Sequence, residues 1–176
     1  LEDVDIFSPA LLDSATHTDE RVNVTVRQGD TSVELQAAVL VGADGADSLL
    51  RKQAGIASRE TDYRQTAIVT NVTPQLAHDH IAYERFTPDG PIALLPMSEQ
   101  RCGVVLTVAS DQADAVMALD DRAFLDELQA RFGQRLGRLQ RVGIRQAWPL
   151  RLVSATASVA ERLVLVGNAV PTLHPV

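Results

Sequence analysis

Val39-Leu40-Val41-Gly42-Ala43-Asp44-Gly45-Ala46-Asp47-Ser48-Leu49-Leu50-Arg51 is an apolar run that breaks into glycine and aspartate, then becomes apolar again. The first residues read as a buried strand. The Gly-Ala-Asp-Gly interval lets the backbone turn sharply and approach a ligand with no side chain intervening. A short helix is expected over 47–54, closed by Gly55 in the position favoured after a helix C-terminus. Taken alone, Asp-Gly at a strand end is a turn. Ser48 followed by Arg51 one helical turn later adds a second reading, in which both face a phosphate. A matching stretch is Leu163-Val164-Leu165-Val166-Gly167-Asn168-Ala169-Val170-Pro171-Thr172-Leu173-His174-Pro175. Here too an apolar strand runs into a backbone bend, and the Asn168 amide suits a sugar hydroxyl. The sequence stops at Val176 with no turn or cap to finish this segment, so an internal piece of a longer chain is expected.

Outward from these stretches the period changes. Val22, Val24 and Val26 alternate with polar residues, Gln28-Gly29-Asp30 makes a turn, and Val33, Leu35, Ala37 and Val39 resume the alternation. That is a β-hairpin. Further strands are expected near 66–72, 81–86, 92–96 and 102–109, with Pro74, Pro88, Asp89, Gly90 and Pro91 between them as turn formers. Ser110 can cap a helix over 111–119. A second helix follows Asp120, carries Phe124, Leu125, Leu128 and Phe132 on one stripe, and ends at Gly133. A long strand over 138–152 and another over 163–166 complete the reading. Strands outnumber helices and the two helices are consecutive, which implies an α+β class, a mixed or antiparallel sheet with helices on one face.

Composition narrows the function classes. With 45% hydrophobic and 22% charged residues the chain is globular rather than disordered. A net charge of −7 argues against a surface built for nucleic acid. Cys102 is the only cysteine, which excludes an internal disulfide and a cysteine-based zinc site. No apolar run is long enough to span a bilayer and no signal peptide opens the sequence, so the cytoplasm is the expected location. Between Leu128 and Ala160 there is no Asp or Glu, while Arg131, Arg135, Arg138, Arg141, Arg145 and Arg151 all fall there. This stretch is a solvated helix end running into a strand, or a basic face for a partner or anionic headgroups.

Single residues have competing readings. His78-Asp79-His80 is a solvated loop pair or the start of a metal site, and the loop is favoured; no metal is expected. His17 is read as a loop residue. Cys102 is read as a small buried hydrophobe on a strand. Trp148 either lines a pocket or packs in the core, with packing favoured. Arg85 either lines a site or pairs with a carboxylate on a sheet face. Tyr83 and Phe86 fall on opposite strand faces, so at most one lines a pocket while the other packs elsewhere.

Together the two glycine-bearing stretches carry a resemblance. The first resembles the DG signature, and the second the GD signature, of class A flavoprotein monooxygenases, the para-hydroxybenzoate-hydroxylase superfamily. Tyr83-Glu84-Arg85-Phe86-Thr87-Pro88-Asp89-Gly90-Pro91-Ile92-Ala93-Leu94-Leu95-Pro96-Met97 looks like the middle segment of the ubiquinone-biosynthesis hydroxylases. Gly167-Asn168-Ala169 with Thr172-Leu173-His174-Pro175 is most similar to their 2-octaprenyl-6-methoxyphenol hydroxylase branch. Asn168 stands where most of the superfamily has Asp, and Val170-Pro171 departs from the usual small and polar pair. No Gly-x-Gly-x-x-Gly occurs, so the segment that seats the ADP half of FAD is not expected in this chain.

The resemblance implies three segments: 1–56 and 156–176 as partial FAD-binding, Rossmann-like elements, and 57–155 as the substrate-binding sheet. It implies FAD as cofactor, with Asp44, Gly45, Arg51, Gly167 and Asn168 near it. Arg85, Phe86, Leu95, Pro96, His174 and Pro175 would face the substrate, on a wall taken to include Tyr83 and Leu94. The reaction implied is hydroxylation of a (poly)prenylated phenol with NAD(P)H and oxygen through a flavin C4a-hydroperoxide, with no side chain as acid or base. Partners would be ubiquinone-pathway proteins, with at most peripheral contact with the inner membrane. The chain by itself is expected to be inactive and to bind FAD weakly. The alternatives are a hydroxylase or epoxidase of the same superfamily acting on another substrate, and a non-catalytic binding or assembly module.

Overall fold

A computed structural model describes residues 4–173. They form two compact units: one runs to Thr61 and resumes over Leu152–Leu173, and the other is Asp62–Arg151. His174 and Pro175 lie outside the described residues.

In the first unit, β1 (Leu11–His17), β2 (Val22–Gln28) and β3 (Thr31–Ala37) form an antiparallel sheet in that order. The alternating valines set the register, with Val24 opposite Leu35, Val26 opposite Val33 and Gln28 opposite Thr31. This leaves Gly29-Asp30 as a two-residue hairpin turn, with Gly29 at φ 61°. The sequence reading did not include β1, because a bulge between Leu12 and Ser14 interrupts its alternation. His17 is the exposed last residue of that strand rather than a loop residue.

A second small sheet orders β11 (Val159–Ala160), β12 (Leu163–Leu165) and β4 (Leu40–Gly42). The helix expected over 47–54 is shorter, α1 (Leu49–Gln53), with Ser48 as its N-cap. Leu50 packs with Leu163, Leu165 and Ala169 to form this unit's core. Arg162, at φ 51°, donates to the carbonyls of Thr18, Asp19 and Ala38. It thereby fastens the turn before β2 and the end of β3 to the turn before β12.

In the second unit, β5 (Ser58–Pro74), β8 (Cys102–Ala109), β7 (Ile92–Pro96) and β6 (Tyr83–Arg85) are antiparallel neighbours in that order. β9 (Leu139–Val142) and β10 (Gln146–Ala155) also lie beside β5. β5 and β10 each begin in one unit and end in the other. β13 (Pro171–Thr172) pairs with Ser154 and Val153 of β10 within the first unit.

The long strand expected over 138–152 is interrupted at 143–145. The Gly143 amide donates to Asn71 O at 2.8 Å, and its carbonyl accepts from Thr70 Oγ1 at 3.1 Å. Arg145 is drawn the other way, donating to Leu119 O at 2.6 Å and lying 4.9 Å from the Phe124 ring centroid. The helix expected over 111–119 is also divided, into a 3-10 turn and α2 (Ala113–Met117). Ser110 does not cap it; its hydroxyl pairs with Thr66 Oγ1 at 3.2 Å. The next helix agrees with its sequence signals. α3 (Asp121–Phe132) is capped by Asp120, which accepts from the Ala123 amide at 2.8 Å, and stops at Gly133 with φ 89°.

Phe124, Leu128 and Phe132 of α3 pack on Ile68, Val72, Leu94, Val104, Leu106 and Val108. Helices therefore cover one face of this sheet. The other face carries Ala67, Val69 and Asn71 of β5, Gly103, Val105 and Thr107 of β8, and Ala93 and Leu95 of β7. Among the described residues no helix is long and apolar enough to cross a membrane.

Two turns give stability predictions. Glu99 and Gln100 between β7 and β8 both have positive φ, 59° and 56°, without being glycine or asparagine. Left-handed backbone costs such residues roughly 1 kcal/mol each, so Glu99→Asn with Gln100→Gly should raise the chemical denaturation midpoint. Gly90→Ala should lower the midpoint, with a stability loss of about 2 kcal/mol, because the added Cβ would lie 2.5 Å from Thr107 O at φ 122°.

Candidate functional site

β4 and β12 are parallel neighbours, with Leu40 opposite Leu163, Val41 opposite Val164 and Gly42 opposite Leu165. Parallel strands end on the same side of their sheet. The loop after Gly42 and the loop after Val166 therefore open at one carboxyl edge, the side on which open α/β sheets take ligands. The Val166 amide donates to Gly42 O at 2.9 Å as the last rung between them. A side chain at Gly42 would prevent this approach, since its Cβ would lie 2.8 Å from Leu165 Cδ2 and 3.2 Å from Leu50 Cδ1.

Arg51 ties the two loops together. Its side chain is buried, with Nη1 donating to Ala169 O at 2.9 Å and Nη2 to Ala46 O at 2.6 Å. Ser48 is fully buried and its Oγ accepts from the Arg51 amide at 3.0 Å. The Ser48–Arg51 pair thus serves the loops themselves rather than presenting two groups to a phosphate. Asp44 Oδ2 accepts from the Leu50 amide at 3.2 Å. Partial burial raises the Asp44 pKa, but bonds from the Ser48 hydroxyl and the Leu50, Asp44 and Leu49 amides outweigh it, leaving the carboxyl below its ordinary value.

Gly45 and Gly167 complete the edge. Their φ values are 84° and 57°, and nothing lies within 4 Å of where a Cβ would stand on either. Both present bare backbone to open space, which fits a cofactor lying across the two loops. Asn168 is exposed next to Gly167, and its backbone carbonyl accepts from Thr172 Oγ1 at 3.1 Å. Asp44, Gly45, Arg51, Gly167 and Asn168 therefore belong to one edge of one sheet. The carbonyls of Ala46 and Ala169 have no sequence signature and were not anticipated.

The residues assigned to a substrate wall are in the second unit and divide between its faces. Leu95 stands on the open face, 44% exposed, opposite Gly103. Arg85 turns toward α3 and donates to Phe132 O at 3.1 Å, rather than to a carboxylate. Pro96 lies opposite the buried Cys102, and Phe86 is exposed just past the end of β6. Tyr83 and Leu94, expected on the wall, instead join the helix-side core. Tyr83 packs edge-on to Phe132 with ring centroids 5.9 Å apart, and Leu94 is fully buried. The sequence reading missed Val69, Val105 and Met97 on or beside the open face. The signal in β8 is the large apolar residue at every second position, Val104, Leu106 and Val108.

Other expectations need revision. His78 is buried, not solvated: Nε2 lies 3.0 Å from Met97 O and Nδ1 accepts from the His80 amide at 3.1 Å. Among the described residues no group of three or more His, Cys, Asp or Glu could hold a metal. Trp148 is 58% exposed and does not pack in the core. Cys102 is buried as expected, and burial pushes its thiol pKa up. In the arginine-rich stretch, Arg131 pairs with Glu127 at 2.7 Å, Arg135 lies 5.8 Å from the Tyr83 ring centroid, and Arg145 is held by α3 and its preceding turn.

Two outcomes follow from the loop geometry. Arg51→Lys cannot span both carbonyls, and should cost about 2 kcal/mol in a denaturant titration. Asp44 has a lowered folded pKa, so its stabilisation is present above the unfolded value of 3.8 and is lost as pH falls through the folded value. Asp44→Asn should make acid unfolding shallower below that point, measured as midpoint against pH.

Comparison with known proteins agrees with this geometry. The family model described as FAD binding domain matches residues 2–176. The chain is 39% identical to ubiquinone hydroxylase UbiL of Rhodospirillum rubrum over 97% of its own length and 39% of that protein. It is 30% identical to ubiquinone hydroxylase UbiM of Neisseria meningitidis over its whole length and 38% of that protein. The chain therefore spans about two-fifths of these curated relatives. Among solved structures, the flavin-dependent halogenase CmlS superposes with a TM-score of 0.74 at 20% identity, covering 94% of this chain and 32% of that one. p-Nitrophenol 4-monooxygenase PnpA from Pseudomonas putida superposes at 0.72 and 17% identity, covering 94% and 42%. These two likenesses show a shared fold, and the match along residues 2–176 shows that the chain belongs to the FAD binding domain family.

Proposed function

We propose that this chain supplies the flavin-facing loops and the substrate wall of an FAD-dependent monooxygenase that hydroxylates a (poly)prenylated phenol in ubiquinone biosynthesis, using NAD(P)H and oxygen. The observation that carries this reading is the adjacency of the two glycine-bearing loops on parallel β4 and β12. The ubiquinone-hydroxylase names of relatives that match almost the whole chain support the pathway.

In this reading the backbone at Gly45 and Gly167 lies against the cofactor, where a side chain would intervene. The Asn168 amide offers a donor and an acceptor to a ribityl hydroxyl. Asp44 and Arg51 act on the loops rather than on the cofactor. The Asp44 carboxylate holds the start of α1, and the Arg51 guanidinium holds the two carbonyls that set the loop spacing. A bound flavin would supply the redox chemistry, accepting hydride from NAD(P)H and activating oxygen. The open face of the second unit's sheet would then hold the phenol and exclude water. Leu95, Val69 and Val105 make that face apolar, as an isoprenoid tail requires. Pro96 adjoins this wall, while Arg85 and Phe86 stand on and just past the edge strand. His174 and Pro175, outside the described residues, stay assigned to the substrate by the resemblance alone.

Purified intact protein should carry flavin absorbance and oxidise NAD(P)H faster when a prenylphenol is added. A protein showing neither would overturn the reading. Within it, Gly167→Val should weaken FAD binding by about tenfold, read by flavin titration. A branched side chain is strained at positive φ by more than 1 kcal/mol and would occupy the open space at the loop.

A further inference from the structure

The face of the second unit's sheet away from α3 is laid out by its register. Asn71 of β5, Gly103 of β8 and Leu95 of β7 stand side by side, and the next row is Val69, Val105 and Ala93. Beyond them Ala67 pairs with Thr107, and both of these are buried, as is Ala93. The accessible strip is therefore the Asn71 row together with Val69 and Val105. Met97 borders it, with its Sδ 3.4 Å from where a Gly103 Cβ would be. Within this strip Asn71 is the one polar side chain among the described residues, and no side chain at 103 stands between it and Leu95.

This amide differs from an ordinary hydrated side chain in two ways. It is half-buried, yet neither of its polar atoms makes a hydrogen bond among the described residues. It is also held in one orientation. A Cβ on Gly143 would lie 2.9 Å from both Asn71 Oδ1 and Nδ2 and 3.1 Å from Cγ, so the amide lies flat against the bare backbone of Gly143. That backbone is anchored in turn, its N–H donating to Asn71 O at 2.8 Å and its carbonyl accepting from Thr70 Oγ1 at 3.1 Å. The break in the strand at 143–145 thus orients a donor and an acceptor on the open strip and uses neither. Half-buried polar groups are left unpaired by a protein mainly where water or a ligand meets them, and a group already oriented loses little freedom on binding.

We infer that the Asn71 carboxamide is the hydrogen-bonding contact for the ring oxygen of the phenolic substrate, and that Gly143 is the residue that positions it. The inference rests on the monooxygenase reading above and adds to the apolar wall the group that distinguishes a phenol from a plain prenylated ring. An amide carries both a donor and an acceptor, so it serves the ring oxygen as a hydroxyl or as an oxyanion. A site built around such a bond rejects an analogue lacking the oxygen, because the amide is then covered and left unpaired.

The test uses the intact flavin-loaded protein, with 2-prenylphenol as substrate and prenylbenzene, which lacks the hydroxyl, as competing ligand. Asn71→Leu should raise KM for prenylphenol-stimulated NAD(P)H oxidation about tenfold, while the inhibition constant of prenylbenzene stays within twofold or tightens. Gly143→Ala, which displaces the amide without removing it, should raise the same KM and also spare prenylbenzene. If either variant weakens both ligands alike, the residue acts on the shape of the sheet and the inference is overturned. KM within twofold of wild type in both variants overturns it too, and the monooxygenase reading then stands. Flavin without a response to the prenylphenol overturns the inference, and absence of flavin and response together overturns the monooxygenase reading as well.

Discussion

A single buried guanidinium holds together the part of the molecule on which the functional reading depends. Arg51 donates to one carbonyl in the loop after β4 and to another in the loop after β12, the latter 118 positions from it in the chain. Removing a cation from water is costly unless its donors are met, and the planar fork of arginine meets two separated acceptors at once. The arrangement works only because the strands below it are in close register, which in turn needs Gly42 to lack a side chain. Ser48 and Asp44 set the helix start from which Arg51 projects. Loop spacing, strand pairing and helix capping are therefore one connected constraint.

The second unit solves a different problem. Its central sheet must be stable on one face and available on the other. β8 shows how the sequence does this: Cys102, Val104, Leu106 and Val108 enter the core beneath α3, and Gly103, Val105 and Thr107 alternate onto the far side. The covered face provides stability, while the far face is half-buried at Gly103 and Val105 and closed at Thr107. The two demands are met by separate residues of the same strand, so each can change without the other.

Much of this was legible in the sequence where local rules dominate. The β2–β3 hairpin followed from alternating valines around Gly29-Asp30, α3 from its Asp120 cap and Gly133 stop, and the two site strands from apolar runs ending in glycine. Long-range partners were not legible. Nothing in the residues near Arg51 names the Ala169 carbonyl, and nothing near position 143 states that Asn71 and Thr70 will take up the Gly143 backbone. Period-2 alternation gives a strand two faces without saying which one a helix will cover. The sheet bearing Tyr83 and Leu94 reads as a wall without showing that α3 covers their side of it, and core packing is favoured over a pocket for Trp148, which is exposed. A bulge hid β1 by breaking the same period. His78 was read from the polarity of its neighbours, whereas its burial is set by the Met97 carbonyl at the end of a distant strand.

The discontinuity of the first unit bears on how the protein is made. β4 and α1 leave the ribosome more than a hundred residues before β12 does. At ordinary synthesis rates that interval is roughly ten seconds. During it β12, the neighbour of β4 among the described residues, is still to be made, and so is the far carbonyl that Arg51 binds. The intervening unit can fold in that time, and in doing so it shortens the loop that β4 and β12 must close, lowering the entropy cost of their meeting. The edge formed by the loops after β4 and β12 is thus completed only once 62–151 has been made, and codon usage or chaperone supply across 62–151 would affect its yield.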